Sequence, residues 1–315
     1  MKIAITHTAA LSRFGEGTRG LAGALATAAP LPGLPAEQPL ANPRARKMMS
    51  RAAYLAARCL TNLLHETAWV DRDRIGYFLG VGASGGSPGD ITGLLERGVA
   101  ACNPLLAFQL MNNFAMCHGA ILEGVGGPNA ALFSRGAGTI AAIGEAVHAI
   151  RSCDCDHAIA GGADEGSHPV TVAELTRDGF IARGLAPADG AALIALAAVS
   201  HAEAVLVEGC AHASGRGGSI GDALARAGAP SNVTDVVIAP WGPPAADALR
   251  SFVAARFPAA AVLDTSPLGE SLAASAALAV CAAVDLLTTR PGRAAVLSLG
   301  VDGDPGVVIL SRGGA

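Results

Sequence analysis

No disulfide framework is evident. Seven cysteines are scattered over 315 residues, an odd number in a chain this long, and they read as reduced thiols of a cytosolic protein. Nor is there a basic stripe. Lys and Arg total 22 against 26 Asp and Glu, for a net charge of −4, which excludes the electrostatic footprint of a nucleic-acid binder. No run is long enough to cross a membrane. The longest apolar stretch, Ala273 to Leu287, is interrupted by Ser275 and Asp285 and reads as a buried helix. No charged segment followed by an apolar one opens the chain. Met1-Lys2-Ile3-Ala4-Ile5 leads directly into a strand-like run, so the expectation is a cytoplasmic protein without a secretory leader. Apolar residues, in contrast, make up 51% of the sequence, with 40 glycines. That is enough for a large core with close backbone packing, and far too apolar for a disordered chain.

Short apolar runs alternate with longer helical patterns, which argues for an α/β protein. Strands are expected over Lys2–Thr6, Ile75–Val81, Ala130–Phe133, Ala158–Gly161, Ala191–Val199, Val205–Ala213, Asp235–Ala239, Ala261–Leu263, Ala294–Leu299 and Gly306–Leu310. Helices are expected over Ser50–Glu66, Asp90–Ala100, Asn113–Leu122, Gly138–Arg151, Ala246–Ala255 and Leu272–Thr288. The Pro-rich stretch 29–45 reads as a surface loop.

One internal repeat organises these elements. The segment from Gly127 to Glu165 runs strand, sharp turn, Ala-rich helix, strand, and "DGAALIALAAV" closes it with another strand. The segment from Phe257 to Arg312 repeats that order. Two pseudo-symmetric halves follow, 1–200 and 201–315, forming one compact unit. Each repeat has a helix that is apolar on most faces, which suits burial between two sheets.

Residues Gly127 to Glu165 resemble the β-ketoacyl synthases, and most closely their chain-length-factor subgroup. The resemblance implies a thiolase-like, five-layered αβαβα fold. A working synthase carries a cysteine where the turn after the strand meets the buried helix. There a helix N-terminus favours the thiolate and backbone N–H groups can hold an oxyanion. Here that position, within "FSRGAG", is Gly136. The family's histidine after the later strand corresponds to Trp241 in Pro240-Trp241-Gly242. Its lysine and second histidine correspond to Thr265 and Glu270 in "LDTSPLGESLAASAA". The closing glycine loop matches Gly300 to Pro305, with Val301 at its phenylalanine gate.

By resemblance, then, all four catalytic positions are lost. The chain is expected to be a non-catalytic chain-length factor that pairs with a Cys-bearing ketosynthase, meets an acyl carrier protein, and needs neither metal nor cofactor. The resemblance places the subunit interface on the strand Ala130, Ala131, Leu132, Phe133. It places the acyl tunnel beside Ser87, Ile91 and Leu94, which at helical spacing share one face. Those three modest side chains suggest a long tunnel, suited to an extended chain such as a polyene.

Other motifs carry less. Gly80-Val81-Gly82-Ala83-Ser84-Gly85 follows a strand like a dinucleotide fingerprint, but no acidic partner ends a second strand at the expected distance. Gly82-Ala83-Ser84-Gly85-Gly86 matches a nucleophile elbow, which requires an acid and a histidine downstream; the last histidine is His212. A repurposed acyl hydrolase or acyltransferase using Ser84 or Ser134 is the rival reading. The cluster Cys153, Cys155, His157 is spaced too tightly for the usual zinc pairs and reads as a turn. His118 reads as a packing residue, and Arg135 as structural or interfacial.

Overall fold

The computed structural model describes all residues except 41, 84–87, 100–108, 201–203, 214–217 and 314–315, and, within one helix, the side chains at 88–91 and 94. The first half supplies β1 (Lys2–Ser12), its short hairpin arm β2 (Gly15–Glu16), β3 (Ile75–Val81), β4 (Asn129–Phe133), β5 (His157–Glu165) and β6 (Asp189–Val199). The second supplies β7 (Val205–His212), β8 (Asp235–Pro240), β9 (Ala261–Asp264), β10 (Gly292–Leu299) and β11 (Pro305–Arg312). The described helices are α1 (Leu21–Ala26), α2 (Pro43–Arg46), α3 (Arg51–Thr67), α4 (Pro88–Arg97), α5 (Phe114–Glu123), α6 (Gly138–Arg151), α7 (Pro169–Arg177), α8 (Ile220–Arg226), α9 (Pro243–Arg256) and α10 (Ala273–Thr289).

The two halves share one topology. The strands lie in the order β4-β3-β5-β6-β1 and then β7-β11-β10-β8-β9. Leaving out the β2 arm and counting strands one to five in each half, both read 3-2-4-5-1. In both, the fifth strand (β6 or β11) runs antiparallel to its neighbours. The sheets join edge to edge where β1 meets β7 through the pairs Ala4↔Leu206 and Ile5↔Val205.

The helices complete five layers. α6 and α10 share one core cluster with β1, β5, β6, β7, β8, β10 and β11, so both lie between the sheets. Twelve of the seventeen α10 residues are buried, which is why it is Ala-rich and apolar all round. α3 and α5 cover the outer face of the first sheet; α8 and α9 cover that of the second. β3 is buried at all seven residues, as a central parallel strand covered on both faces should be.

Local chemistry sets the helix ends. The Ser50 hydroxyl accepts the Ala53 N–H to start α3, and Ser219 with Asp222 forms a capping box at α8. The central helices approach the first sheet closely because glycines face them. A Cβ on Gly80 would lie 2.4 Å from the Thr139 nitrogen, and one on Gly162 would lie 2.3 Å from Thr139 Oγ1. Thr139 in turn donates to the Ala273 carbonyl at 2.6 Å, tying the N-terminus of α6 to that of α10.

Candidate functional site

The turn between β4 and α6, Ser134 to Ala137, carries no cysteine. Ser134 Oγ accepts the N–H groups of Gly136 (3.3 Å) and Ala137 (3.0 Å). It therefore holds the turn that leads into α6, and among the described residues no base is hydrogen-bonded to it. Gly136 is buried against the closing loop. A Cβ there would stand 2.7 Å from both Cα and N of Gly300, and 3.1 Å from the Asp304 carbonyl. A Cβ on Gly300 would stand 2.3 Å from Gly136 Cα. Position 136 thus lacks a thiol and also lacks the room for one: backbone occupies the space where a side chain would start.

The other three positions are taken up by the fold. Trp241 is buried, meets Phe180 edge-on at 4.8 Å, and has the Arg183 guanidinium over its ring at 5.0 Å. It packs in a small cluster with Leu175, Leu185 and Ala245, against which Val301 and Leu299 also rest. An indole plugs this volume and supplies no base. Thr265 donates its hydroxyl to the Ile238 carbonyl at 3.0 Å, the same carbonyl its own N–H uses. Glu270 is bound through its backbone to the 186–188 segment on both sides, and its Oε1 is buried without a partner. Burial pushes its carboxyl up to about 8; hydrogen bonds from Ser275 and the Leu272 backbone oppose this, and the Asp164 charge adds to it. A cleft of about 250 Å³ lies alongside, lined in part by Trp241, Pro243, Arg250, Asp264 and Glu270.

Asp164, at the end of β5, stands at the centre of this region. It is fully buried, and its carboxyl accepts N–H groups from Gly82 (3.0 and 2.8 Å), Ala83 (3.0 Å) and Ala273 (2.9 Å). Arg135 holds the same peptide from the other side, donating Nε to the Gly82 carbonyl at 3.3 Å and Nη2 to Glu174 at 2.8 Å. The Arg135 N–H is itself accepted by Asp302 of the closing loop at 3.0 Å.

Residues 34–202 match the family model for the N-terminal domain of β-ketoacyl synthases. The chain belongs to the β-ketoacyl synthase family. Solved structures with the same fold include the ishigamide ketosynthase/chain length factor, at 22% identity and TM-score 0.81 with all of both chains covered. A β-ketoacyl synthase from Burkholderia phymatum matches at 18% identity and TM-score 0.80, covering 99% of this chain and 100% of the other. A ketosynthase in complex with its chain length factor from Xenorhabdus doucetiae matches at 20% identity and TM-score 0.76, covering 99% and 98%. No curated protein matches the sequence.

Within this family member, Gly136 meets the closing loop at Gly300, Val301 of that loop rests against Trp241, and Trp241 and Glu270 line one cleft. Phe133 ends β4, which pairs only with β3 among the described strands and so forms the outer edge of the first sheet. Ile91 and Leu94 lie on α4, with their side chains outside the described set; Ser84 and Ser87 lie outside the described residues. His118 is half-buried and tilted against Phe114 at 5.2 Å. Among the described residues there is no cluster of His, Cys, Asp or Glu suited to a metal, and no helix is long and apolar enough to cross a membrane. Sequence reasoning read Arg135 as structural or interfacial, without its partners, and missed Asp164. The only local signal was an acid directly after the buried run "AIAGGA", and nothing nearby announces its three backbone partners.

Proposed function

We propose that this chain is the non-catalytic, chain-length-factor half of a ketosynthase heterodimer. In that role it shapes the tunnel into which a Cys-bearing partner extends a polyketide chain delivered by an acyl carrier protein, with an extended product such as a polyene. The observation that carries the reading is the contact between Gly136 and Gly300, which leaves no space for a nucleophilic side chain where the family places its cysteine. Trp241 as core, Thr265 spent on a carbonyl and a buried carboxyl at Glu270 agree with it, because by resemblance malonyl binding and decarboxylation use a lysine and two histidines at those positions. Two of the similar structures are ketosynthases with chain length factors, and a third holds an acyl-carrier protein with its ketosynthase.

The surface supports a partner on the β4 side. β4 leaves one edge unpaired, with Phe133 half-exposed at its end and Ile121 of the preceding helix 80% exposed. Burial of this face against a second subunit fits an obligate interface on the order of 2,000 Å². The division into halves at 200/201 belongs to the same reading: the first half contributes the turn at Gly136, and the second those at Trp241, at Thr265 to Glu270 and at Val301. Co-expression with a Cys-bearing ketosynthase followed by size exclusion tests the proposal. A stable one-to-one complex is expected, and the purified chain alone should gain no acyl adduct by intact mass after incubation with acyl-carrier-bound substrate. A stoichiometric adduct on the isolated chain would reverse the conclusion and favour the serine-based acyltransferase.

A further inference from the structure

A separate cleft of about 400 Å³ shares no lining residue with the one beside Trp241. Both halves build it: α6 gives His148 and Arg151, β7 gives Glu208 and Cys210, and the end of α8 gives Arg226. It lies where the two sheets part. β7 pairs with β11 along its length but with β1 only at Val205 and Leu206, so from Val207 onward that edge has no partner among the described strands.

The charge of the lining is one-sided. Arg151 and Arg226 are both exposed and come from different halves, and His148 stands one turn before Arg151. Arg151 makes no hydrogen bond or ion pair with any described residue. Arg226 donates one N–H to the His212 carbonyl at 3.2 Å, and its neighbour Asp222 is committed to capping Ser219. His148 Nε2 meets only the Ser152 hydroxyl, at 3.4 Å. The single carboxylate of the lining, Glu208, is already matched, since Arg293 takes both its oxygens at 2.9 and 2.7 Å. Helix ends supply part of the missing counter-charge. α6 and α8 both stop here, with these cations in their last turns, and a helix C-terminus carries at most about half a negative charge. Two ends therefore offset about one arginine and leave about one full positive charge unmet, before His148 is counted. Gathering like charges in one cleft is unfavourable unless an anion relieves it.

We propose that this cleft is a binding site for a phosphate monoester, with Arg151 and Arg226 holding the phosphate oxygens from the two halves and His148 as a further donor. The planar fork of arginine matches phosphate oxygens two at a time, and a dianion supplies the charge that the helix ends leave unmet. The volume holds a phosphate group and a small organic group on its ester oxygen. Nothing in the site depends on the chain-length-factor reading, because none of its residues belongs to the turns at Gly136, Trp241 or Glu270.

Titration calorimetry of the full chain with phenyl phosphate, at constant ionic strength, tests the proposal. One site per chain is expected, with a dissociation constant on the order of 1 mM or tighter. Arg151→Gln and Arg226→Gln should each weaken binding roughly tenfold. Both side chains are exposed and Arg151 has no bond to lose, so the variants are expected to fold, and an unchanged Tm without ligand checks this. Gly144→Leu blocks the cleft with every charge left in place. Its Cβ would meet only Cys210 Sγ, at an ordinary 3.6 Å, and it should abolish binding. Arg256→Gln, at the end of α9 where the guanidinium lies over Phe257, should leave binding unchanged. Phenyl sulfate has the same shape with a single charge and should bind at least about fivefold more weakly. No saturable binding of phenyl phosphate up to roughly 20 mM would overturn the proposal. Undiminished affinity in the Arg151→Gln/Arg226→Gln double variant, equal weakening by Arg256→Gln, or equal affinity for the sulfate would do the same.

Discussion

At the scale of single residues, the surroundings of Gly136 and Glu270 are defined by space and protonation. Gly136 is the clearer case. Replacing it with cysteine forces a Cβ against the Gly300 backbone at 2.7 Å, and backbone cannot rotate away as a side-chain tip can. Gly136→Cys is therefore expected to lower stability by about 1–3 kcal/mol, the usual cost of overpacking, measured by urea denaturation. No acyl uptake should accompany it. Glu270 gives a pH signature. Its folded-state value is pushed up to about 8 by burial, against an ordinary glutamate value near 4.3 in the unfolded chain. Between those values the folded state holds a proton that the unfolded state has released, so stability falls as pH rises, by at most about 1.4 kcal/mol per pH unit for this group. Asp164, raised to about 8 chiefly by burial, contributes a slope of the same sign. Glu270→Gln should flatten the decline in denaturation midpoint between pH 5 and 8 and make the variant the more stable protein at pH 8. Unchanged slopes would show that Glu270 titrates normally.

Elements carry the second level. α6 runs from Gly138 to Arg151, as its apolar periodicity indicates, because its burial between sheets demands apolar residues on most faces. α7 (Pro169–Arg177) and α8 (Ile220–Arg226) were not evident from periodicity. Each is short, so its pattern is brief, and its start depends on a cap: His168 for α7, Ser219 for α8. β1 extends to Ser12, well beyond the expected Thr6, because pairing with β6 continues past a register shift between Ile5 and His7. At this scale β4 makes the sharpest prediction. Phe133 is 52% exposed at the strand's end, so Phe133→Asp should alter the stability of the isolated chain by no more than about 0.5 kcal/mol. Size exclusion should nonetheless show loss of the heterodimer, because a charge would be buried unpaired in the interface. A heterodimer of undiminished yield would place the interface elsewhere.

For the whole molecule, two copies of one topology face each other across α6 and α10, and the turn at Gly136 of the first meets the closing loop at Gly300 of the second. A tunnel that begins at a partner's cysteine and runs toward this chain would pass α4. Ile91→Trp adds bulk on that helix and is expected to shorten the products made by the reconstituted complex while the heterodimer persists, as read by mass spectrometry of products and size exclusion. Products of unchanged length would remove α4 from the tunnel wall.

The amino-acid sequence by itself determined the class of the fold and the repeat, and it sets a glycine at 136, a tryptophan at 241, a threonine at 265 and a glutamate at 270. Each of these is local: a strand or helix is written in a few turns of apolar spacing, and an absent thiol is absent in any conformation. Tertiary structure decided what surrounds those four residues. The Gly136–Gly300 contact joins residues 164 positions apart, the Asp164–Ala273 bond spans 109, and the junction of the two sheets rests on two residue pairs between β1 and β7. No period or motif encodes such contacts. They follow from how two close-packed halves meet, where a missing side chain is replaced by whatever backbone can fill the volume.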